Sequence, residues 1–210
     1  MPGSSRKKSI VLLSSGLDST VSLASAVKKT KVILALTFDY GQKAAKQETA
    51  AAKKIAKHFK IKHKVVKLDW LADITKTALV KKGARVPMYK GKSTAQAVWV
   101  PNRNLAFISI AASFAEALKA DLIITGFNKE EAKTFPDNSK AFVDLVNRSL
   151  KLSTLKHPKV VSYTQFLDKK KIVKLGMKLG APLQFVYSCY EGGPKMCDRC
   201  ESCIRFKSAF

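Results

Sequence analysis

The stretch "LLSSGLDST", Leu12–Thr20, closes one apolar run and opens another. Before it, "SIVLLS" (Ser9–Ser14) carries the β-branched, apolar character of a buried strand, and after it "DSTVSLASAVKK" (Asp18–Lys29) repeats apolar residues at helical spacing. Between them lies a short polar turn of Ser14, Ser15 and Gly16, with the helix beginning near Leu17. In an open parallel sheet such a turn sits at the carboxyl end of a strand, where the next helix points its unpaired N–H groups outward. Glycine lets a ligand approach the backbone, and the hydroxyls of Ser14, Ser15, Ser19 and Thr20 add donors suited to phosphate oxygens. The pattern predicts an anion cradle. Asp18 is out of place in a bare phosphate site, because a carboxylate repels phosphate, unless a Mg²⁺ ion bridges the two. The same residues also suit an ordinary helix N-cap.

Two common nucleotide loops are excluded, since neither G-x-x-x-x-G-K-[ST] nor G-x-G-x-x-G occurs here. Working outward, the β-branched runs Lys31–Gly41, Lys62–Asp69, Asp121–Gly126 and 159–163 alternate with helical stretches over Lys46–Lys60, Asn104–Ala120, Lys140–Leu152 and Asp168–Gly180. That alternation predicts an α/β fold, an open parallel sheet with helices on both faces. Asn104–Ala120 is nearly apolar all round and is expected to be a central, buried helix. Residues 81–101 and 127–139 lack a sustained period and read as irregular segments; loops this long in an α/β domain are uncommon unless they serve a site.

The chain has 39 Lys+Arg against 15 Asp+Glu, a formal charge of +24. Such a surface attracts polyanions, ATP or acidic small molecules, so nucleic-acid binding is possible from charge but not required. Lys28, Lys29, Lys53, Lys54, Lys169, Lys170 and Lys171 are dispersed along the chain, as expected of lysines on solvated helix faces. No apolar run reaches the length of a membrane span, and a cytoplasmic location is expected.

The four cysteines, Cys189, Cys197, Cys200 and Cys203, all lie within fifteen residues near the C-terminus. With Gly192, Gly193 and Pro194 between the first two, the chain can wrap a tetrahedral ion. One structural Zn²⁺ fits a closed set of four thiolates, and an iron–sulfur cluster is the competing reading. The expected organisation is an α/β domain over residues 1–187, which carries the anion cradle, with a metal-binding segment, 188–210, packed on it.

The turn resembles the S-G-G-x-D-S signature of the PP-loop ATP pyrophosphatase superfamily, with Ser15 where the first glycine is usual. If that position needs positive φ, serine costs about 1 kcal/mol relative to glycine. Taken with "VPNRN" (Val100–Asn104), "TGFNKEEAKTFPDNS" (125–139) and the terminal cysteines, the chain resembles the QueC family of 7-cyano-7-deazaguanine synthases from about Ser9 to Cys203. It departs from the family's pattern at Glu130, Glu131, Ala132 and Lys133, where members carry a run richer in Asp and Ser.

The resemblance implies a fold of the adenine nucleotide alpha hydrolase type and an ATP-dependent ligase. That ligase would convert 7-carboxy-7-deazaguanine and ammonia to the nitrile, through carboxylate adenylation, for queuosine or archaeosine. It assigns ATP binding to Leu13, Ser14, Ser15, Gly16, Leu17, Asp18, Ser19, Thr20, Val21, Ser22 and Leu23, metal binding to the four cysteines, and a homodimer. Asp18 and Ser19 are the catalytic candidates of the loop. Arg103 could hold phosphate or the substrate carboxylate by a bidentate contact, and Asp137 could accept from the N–H groups of a guanine-like base. Two other readings compete: a PP-loop enzyme modifying tRNA, and a basic zinc-knuckle protein that binds nucleic acid without turnover.

Overall fold

The computed structural model describes residues 6–81 and 83–210, so Lys82, within the irregular segment, and residues 1–5 lie outside the described residues. The elements run β1 (Lys8–Leu12), α1 (Leu17–Lys29), β2 (Lys31–Asp39), α2 (Ala45–His58), β3 (His63–Lys67), α3 (Asp69–Ile74), α4 (Ala95–Val98), α5 (Arg103–Ala117), β4 (Leu122–Thr125), α6 (Lys140–Ser153), β5 (Lys159–Ser162), α7 (Lys169–Leu179) and α8 (Glu201–Lys207). The five strands form one sheet in the order β3-β2-β1-β4-β5, and every pairing is parallel. The expected α/β architecture is present, with strand ends displaced by a residue or two from the sequence reading and with α3, α4 and α8 added.

The apolar faces of the sheet drive two layers of packing. On one face Val11, Leu13, Ala35 and Ile124 meet Leu23 and Ala26 of α1 and Ala52, Ile55 and Ala56 of α2. On the other, Ile10, Leu36 and Ile123 meet Ile108, Ala111 and Ala115 of α5 and Val143 and Val146 of α6. Burying a branched aliphatic side chain stabilises by about 1.5–3 kcal/mol, so these two layers fix the sheet between the helices. The second layer also takes in Cys189, Cys200 and Cys203.

The expectation for α5 needs correction. Ile108, Ala111, Ala112 and Ala115 are buried, but Ser109 and Ser113 are exposed and Ile110 and Phe114 half-buried, so α5 packs on the central strands β1 and β4 as expected but is not buried all round. Only one layer of helices covers this face of the sheet, and the outer side of Phe114 is covered by the Lys64 ammonium, 5.9 Å from the ring centre.

The strand order reverses between β1 and β4, where connections leave in opposite directions. Such a point opens a crevice at the carboxyl ends of the strands. Gly126, just past β4, permits α1 to sit over it: a Cβ there would lie 2.6 Å from the Ser19 backbone nitrogen and 2.8 Å from its Cα. Gly126→Ala is therefore expected to push the first turn of α1 outward and to lower stability by about 1–3 kcal/mol, measured as a lower urea midpoint at unchanged slope.

Candidate active site

The crevice is a cavity of about 260 Å³ whose floor is the end of β1 and the N-terminus of α1. The first intrahelical bond runs from the Thr20 N–H to the Gly16 carbonyl, 3.0 Å. Gly16 caps the helix without a side chain, so the N–H groups of Leu17, Asp18 and Ser19 keep no helical partner and carry the positive end of the helix dipole. Leu13, Ser14, Gly16, Leu17, Asp18 and Ser19 line the cavity.

Other parts of the expected loop face elsewhere. Ser15, fully buried at φ +64°, donates its hydroxyl to the Tyr187 carbonyl, and Thr20 donates to the Gly16 carbonyl at 2.8 Å. Their hydroxyls thus bind the protein's own backbone; the Ser14 and Ser19 hydroxyls, 3.1 Å apart, lie on the cavity wall, with Ser19 also donating to the Gly16 carbonyl at 3.1 Å. Val21 packs against α7 in the core, Ser22 shares a hydrogen bond with Thr164, and Leu23 is buried under the sheet.

Asp18 meets residues that the sequence did not single out. Lys169, at the first position of α7, donates to Asp18 Oδ2 at 2.5 Å and to Glu131 Oε1 at 2.8 Å. Its side chain is only 12% exposed, so one of the lysines assigned to a solvated face is buried in the cavity. One ammonium between two carboxylates leaves the trio one negative charge in excess. Burial pushes the Asp18 carboxyl up to about 6 against the pull of Lys169, while Lys169 holds Glu131 below its ordinary range. Asp18 Oδ1 is buried with no hydrogen-bond partner.

Arg103 opens α5 behind Asn102, which takes a left-handed backbone. It reaches the cavity and donates to the Tyr40 hydroxyl at 3.0 Å, with its guanidinium over the Tyr40 ring. Asp137 also lines the cavity, and its own burial raises its pKa. Nearby, the Trp99 and Phe135 rings lie nearly parallel, 11° apart with centroids 5.9 Å apart. Glu48, on the first turn of α2, accepts from Gln42 at 2.8 Å, and burial pushes its carboxyl up to about 6.

The C-terminal segment forms the remaining wall through Tyr187, Ser188, Tyr190, Glu201 and Arg205. Glu201 accepts from the Thr94 N–H and hydroxyl at 2.7 and 2.6 Å and pairs with Arg205, tying the segment to the irregular region before α4. The Sγ atoms of Cys189, Cys197, Cys200 and Cys203 all lie within 4.8 Å of one another; among the described residues they are the one group placed to share a metal ion. The Cys197 and Cys200 N–H groups point at the sulfurs of Cys189 and Cys197, 3.4 Å away.

Lys169 could have been found by the rule that located Ser14–Ser19, because it too opens a helix beyond the carboxyl end of a strand. Its place in a lysine run masked it. Glu131 and Glu201 meet Lys169 and Thr94, which are distant in sequence, so neither of these contacts had a local signal, and Glu48, bonded to Gln42 six residues before it, reads as an ordinary helix-start carboxylate.

Among solved structures the fold resembles a 4-thiouridine synthetase–RNA complex with bound ATP, with a TM-score of 0.56 and 20% identity over 97% of this chain and 50% of that one. It also resembles the U34-tRNA thiolase NcsA from Methanococcus maripaludis with its [4Fe-4S] cluster, with a TM-score of 0.53 and 17% identity over 85% of this chain and 58% of that one. The chain thus spans little more than half the length of these structures, and at such identities the likeness is one of fold, the PP-loop type. A family model described as queuosine biosynthesis protein QueC matches residues 8–210. The 7-cyano-7-deazaguanine synthase of Pelotomaculum thermopropionicum is 54% identical over 208 residues, covering 95% of this chain and 94% of that protein. That of Methanosarcina mazei is 43% identical over 215 residues, covering 97% and 93%. The chain belongs to the QueC family.

Glu48 supplies a pH test of the cavity's electrostatics. Its folded pKa of about 6 exceeds the ordinary 4.5, so the stability contributed by its neutral form is complete below pH 4.5 and is lost as pH rises through 6. Relative to Glu48→Gln, the wild-type chain is expected to lose about 1–2 kcal/mol between those limits, read from urea midpoints at each pH.

Proposed function

We propose that this chain is an ATP-dependent carbon–nitrogen ligase that converts 7-carboxy-7-deazaguanine and ammonia to 7-cyano-7-deazaguanine. The observation that carries the reading is the open N-terminus of α1, lined by Ser14 and Gly16–Ser19, facing Lys169 and Arg103 across one cavity, in a chain whose relatives bear that enzyme's name.

A carboxylate is a poor electrophile. Its oxygen attacks the α-phosphorus of ATP, the bond to the β-phosphate breaks, and pyrophosphate leaves with its electron pair. Ammonia then displaces AMP, giving the amide and releasing a proton. Repeating the activation at the amide oxygen allows AMP to depart with loss of two protons, leaving the nitrile.

The N–H groups of Leu17–Ser19 and the Ser14 and Ser19 hydroxyls would receive the departing pyrophosphate, fixed in place before charge develops there. Lys169 would exchange one of its carboxylates for a phosphate oxygen. Asp18, with Oδ1 unpartnered, would hold a Mg²⁺ ion, which would offset the negative charge of the phosphates. Arg103 is placed for phosphate or the substrate carboxylate. Asp137 is placed to accept from the amino and ring N–H groups of the base, beside the Trp99 and Phe135 rings.

The cysteines fit Zn²⁺. At a Zn–S length of about 2.3 Å a tetrahedral ion sets its sulfurs about 3.8 Å apart, in keeping with Sγ atoms all within 4.8 Å. A four-iron cluster holds each thiolate on a different iron and spaces them more widely. Purified protein is expected to carry one zinc per chain by elemental analysis. Cys200→Ser is expected to lose it together with several kcal/mol of stability in denaturant titration.

No helix of the described residues is long and apolar enough to cross a membrane. We read the enzyme as a cytoplasmic homodimer. Exposed Leu118, Leu145, Leu152 and Leu155 offer an apolar face for a second copy where Glu116 joins the end of α5 to the chain after α6.

The decisive assay supplies ATP, Mg²⁺, ammonium and 7-carboxy-7-deazaguanine and follows the deazapurine by mass spectrometry. Nitrile formation is expected, with a loss of at least about 100-fold in Asp18→Ala. A zinc-loaded, ATP-binding protein that forms no adenylate, amide or nitrile would refute the reading.

A further inference from the structure

The cysteine segment is hydrogen-bonded to the anion loop through Tyr187, and the join falls on the loop's most constrained residue. Among the described residues six non-glycine residues have positive φ: Ser15, Lys60, Asn102, Lys119, His157 and Asp198. Five of them are exposed, and Ser15 alone is fully buried. A buried serine persists in that conformation only where its surroundings dictate it. Here the surroundings are Tyr187. Its N–H donates to the Ser15 carbonyl at 3.1 Å, and its carbonyl accepts from the Ser15 hydroxyl at 3.3 Å.

Tyr187 is in turn held from the metal side. Its hydroxyl donates to the Gly193 carbonyl at 2.8 Å, in the turn between Cys189 and Cys197, and Cys189 follows it by two residues. That turn is braced against the main domain at Gly192, which has φ +71° and sits so close to the Lys43 carbonyl that a Cβ has no room. Tyr187 and Ser188 also line the cavity beside Gly16.

We propose that Tyr187 is a positioning residue through which the Cys189–Cys203 metal segment holds the nucleotide loop in its binding conformation, so that metal occupancy and nucleotide binding strengthen each other. The proposal rests on the reading of the cavity as an ATP site. Metal gathers the four thiolates and fixes the 189–197 turn. The fixed turn holds the Tyr187 hydroxyl, and Tyr187 holds Ser15 at positive φ, with the N–H groups that follow it aimed into the cavity. Coupling of this kind is reciprocal: nucleotide must tighten metal by the factor by which metal tightens nucleotide.

The test uses the full-length, zinc-loaded protein and the non-cleavable α,β-methylene analogue of ATP with Mg²⁺, with affinities from isothermal titration calorimetry and zinc content measured alongside. Tyr187→Phe is expected to retain one zinc and to bind the analogue about 5- to 10-fold more weakly, the weight of one neutral hydrogen bond. Glycine adopts positive φ without help, so a Ser15→Gly, Tyr187→Phe double variant is expected to bind within about 2-fold of Ser15→Gly alone. A residue that merely stabilised the fold would give no such rescue. Wild-type protein stripped of zinc by a chelator is expected to weaken as Tyr187→Phe does, and stripping that variant is expected to cost little more.

Wild-type affinity in zinc-loaded Tyr187→Phe, or failure of glycine to restore binding, would overturn the coupling and leave the ATP reading standing. No binding of the analogue by any form would overturn the ATP reading and the coupling with it.

Discussion

The chain must pass from the central strand β1 to a helix in the four residues Leu13–Gly16, at the point where the sheet reverses its order. That constraint governs the rest of the site. So short a connection aims the first N–H groups of α1 into the crevice, and the close approach of Ser19 to Gly126 keeps them there. Within this connection Ser15 takes positive φ. On its far side α1 packs against α7, so tightly at Gly176 that a Cβ would lie 2.8 Å from Val21. This contact delivers Lys169, the first residue of α7, to Asp18. The cation and the helix end are brought to one place by the packing of two helices, without a dedicated motif joining them in sequence.

The parts of this arrangement that are local were legible in the sequence. β-Branched runs marked the strands, and the Ser and Gly turn marked the crevice, because both depend on neighbours within a few residues. The cysteine cluster was legible because metal ligation needs ligand type and spacing alone. Side-chain direction in the turn was not, since the hydroxyls of Ser15 and Thr20 find backbone carbonyls whose nearness follows from the turn's geometry. The burial of α5 was misread because hydropathy reports how apolar a helix is and not how many layers cover it. A lysine from β3 lying over Phe114 is enough to make an apolar outer face tolerable in water. Lys169 and Glu131 escaped notice because their meaning comes from each other and from Asp18, 38 and 151 residues from Lys169 in the chain.

The Asp18–Lys169–Glu131 group also shows why a buried charge cluster belongs in a site and not in a core. Taking charges out of water costs several kcal/mol per ion, and full pairing is needed to recover it. Here pairing is deliberately incomplete: two carboxylates share one ammonium, and an Asp18 oxygen is left without a donor. An apolar trio of equal volume would stabilise the fold as well or better. The cluster makes sense if part of its electrostatic balance comes from outside the chain, a cation for Asp18 and an anion for Lys169, as magnesium and phosphate together provide.

The cysteine segment meets a different physical requirement. Fifteen residues between Cys189 and Cys203 cannot bury enough apolar surface to fix their own backbone, which is the usual reason for a metal in so small a unit. Yet this segment supplies a wall of the cavity, with Glu201 and Arg205 on α8 and Tyr187 at the loop. A wall that contributes polar groups must be as rigid as the floor it faces, because a shift of an ångström there weakens every hydrogen bond across the cavity. Four thiolates closed on one ion are the shortest way to give a peripheral segment that rigidity. Cys189, Cys200 and Cys203 are buried in the same layer as Leu36 of the central sheet, which makes the metal segment continuous with the core that positions the helix end.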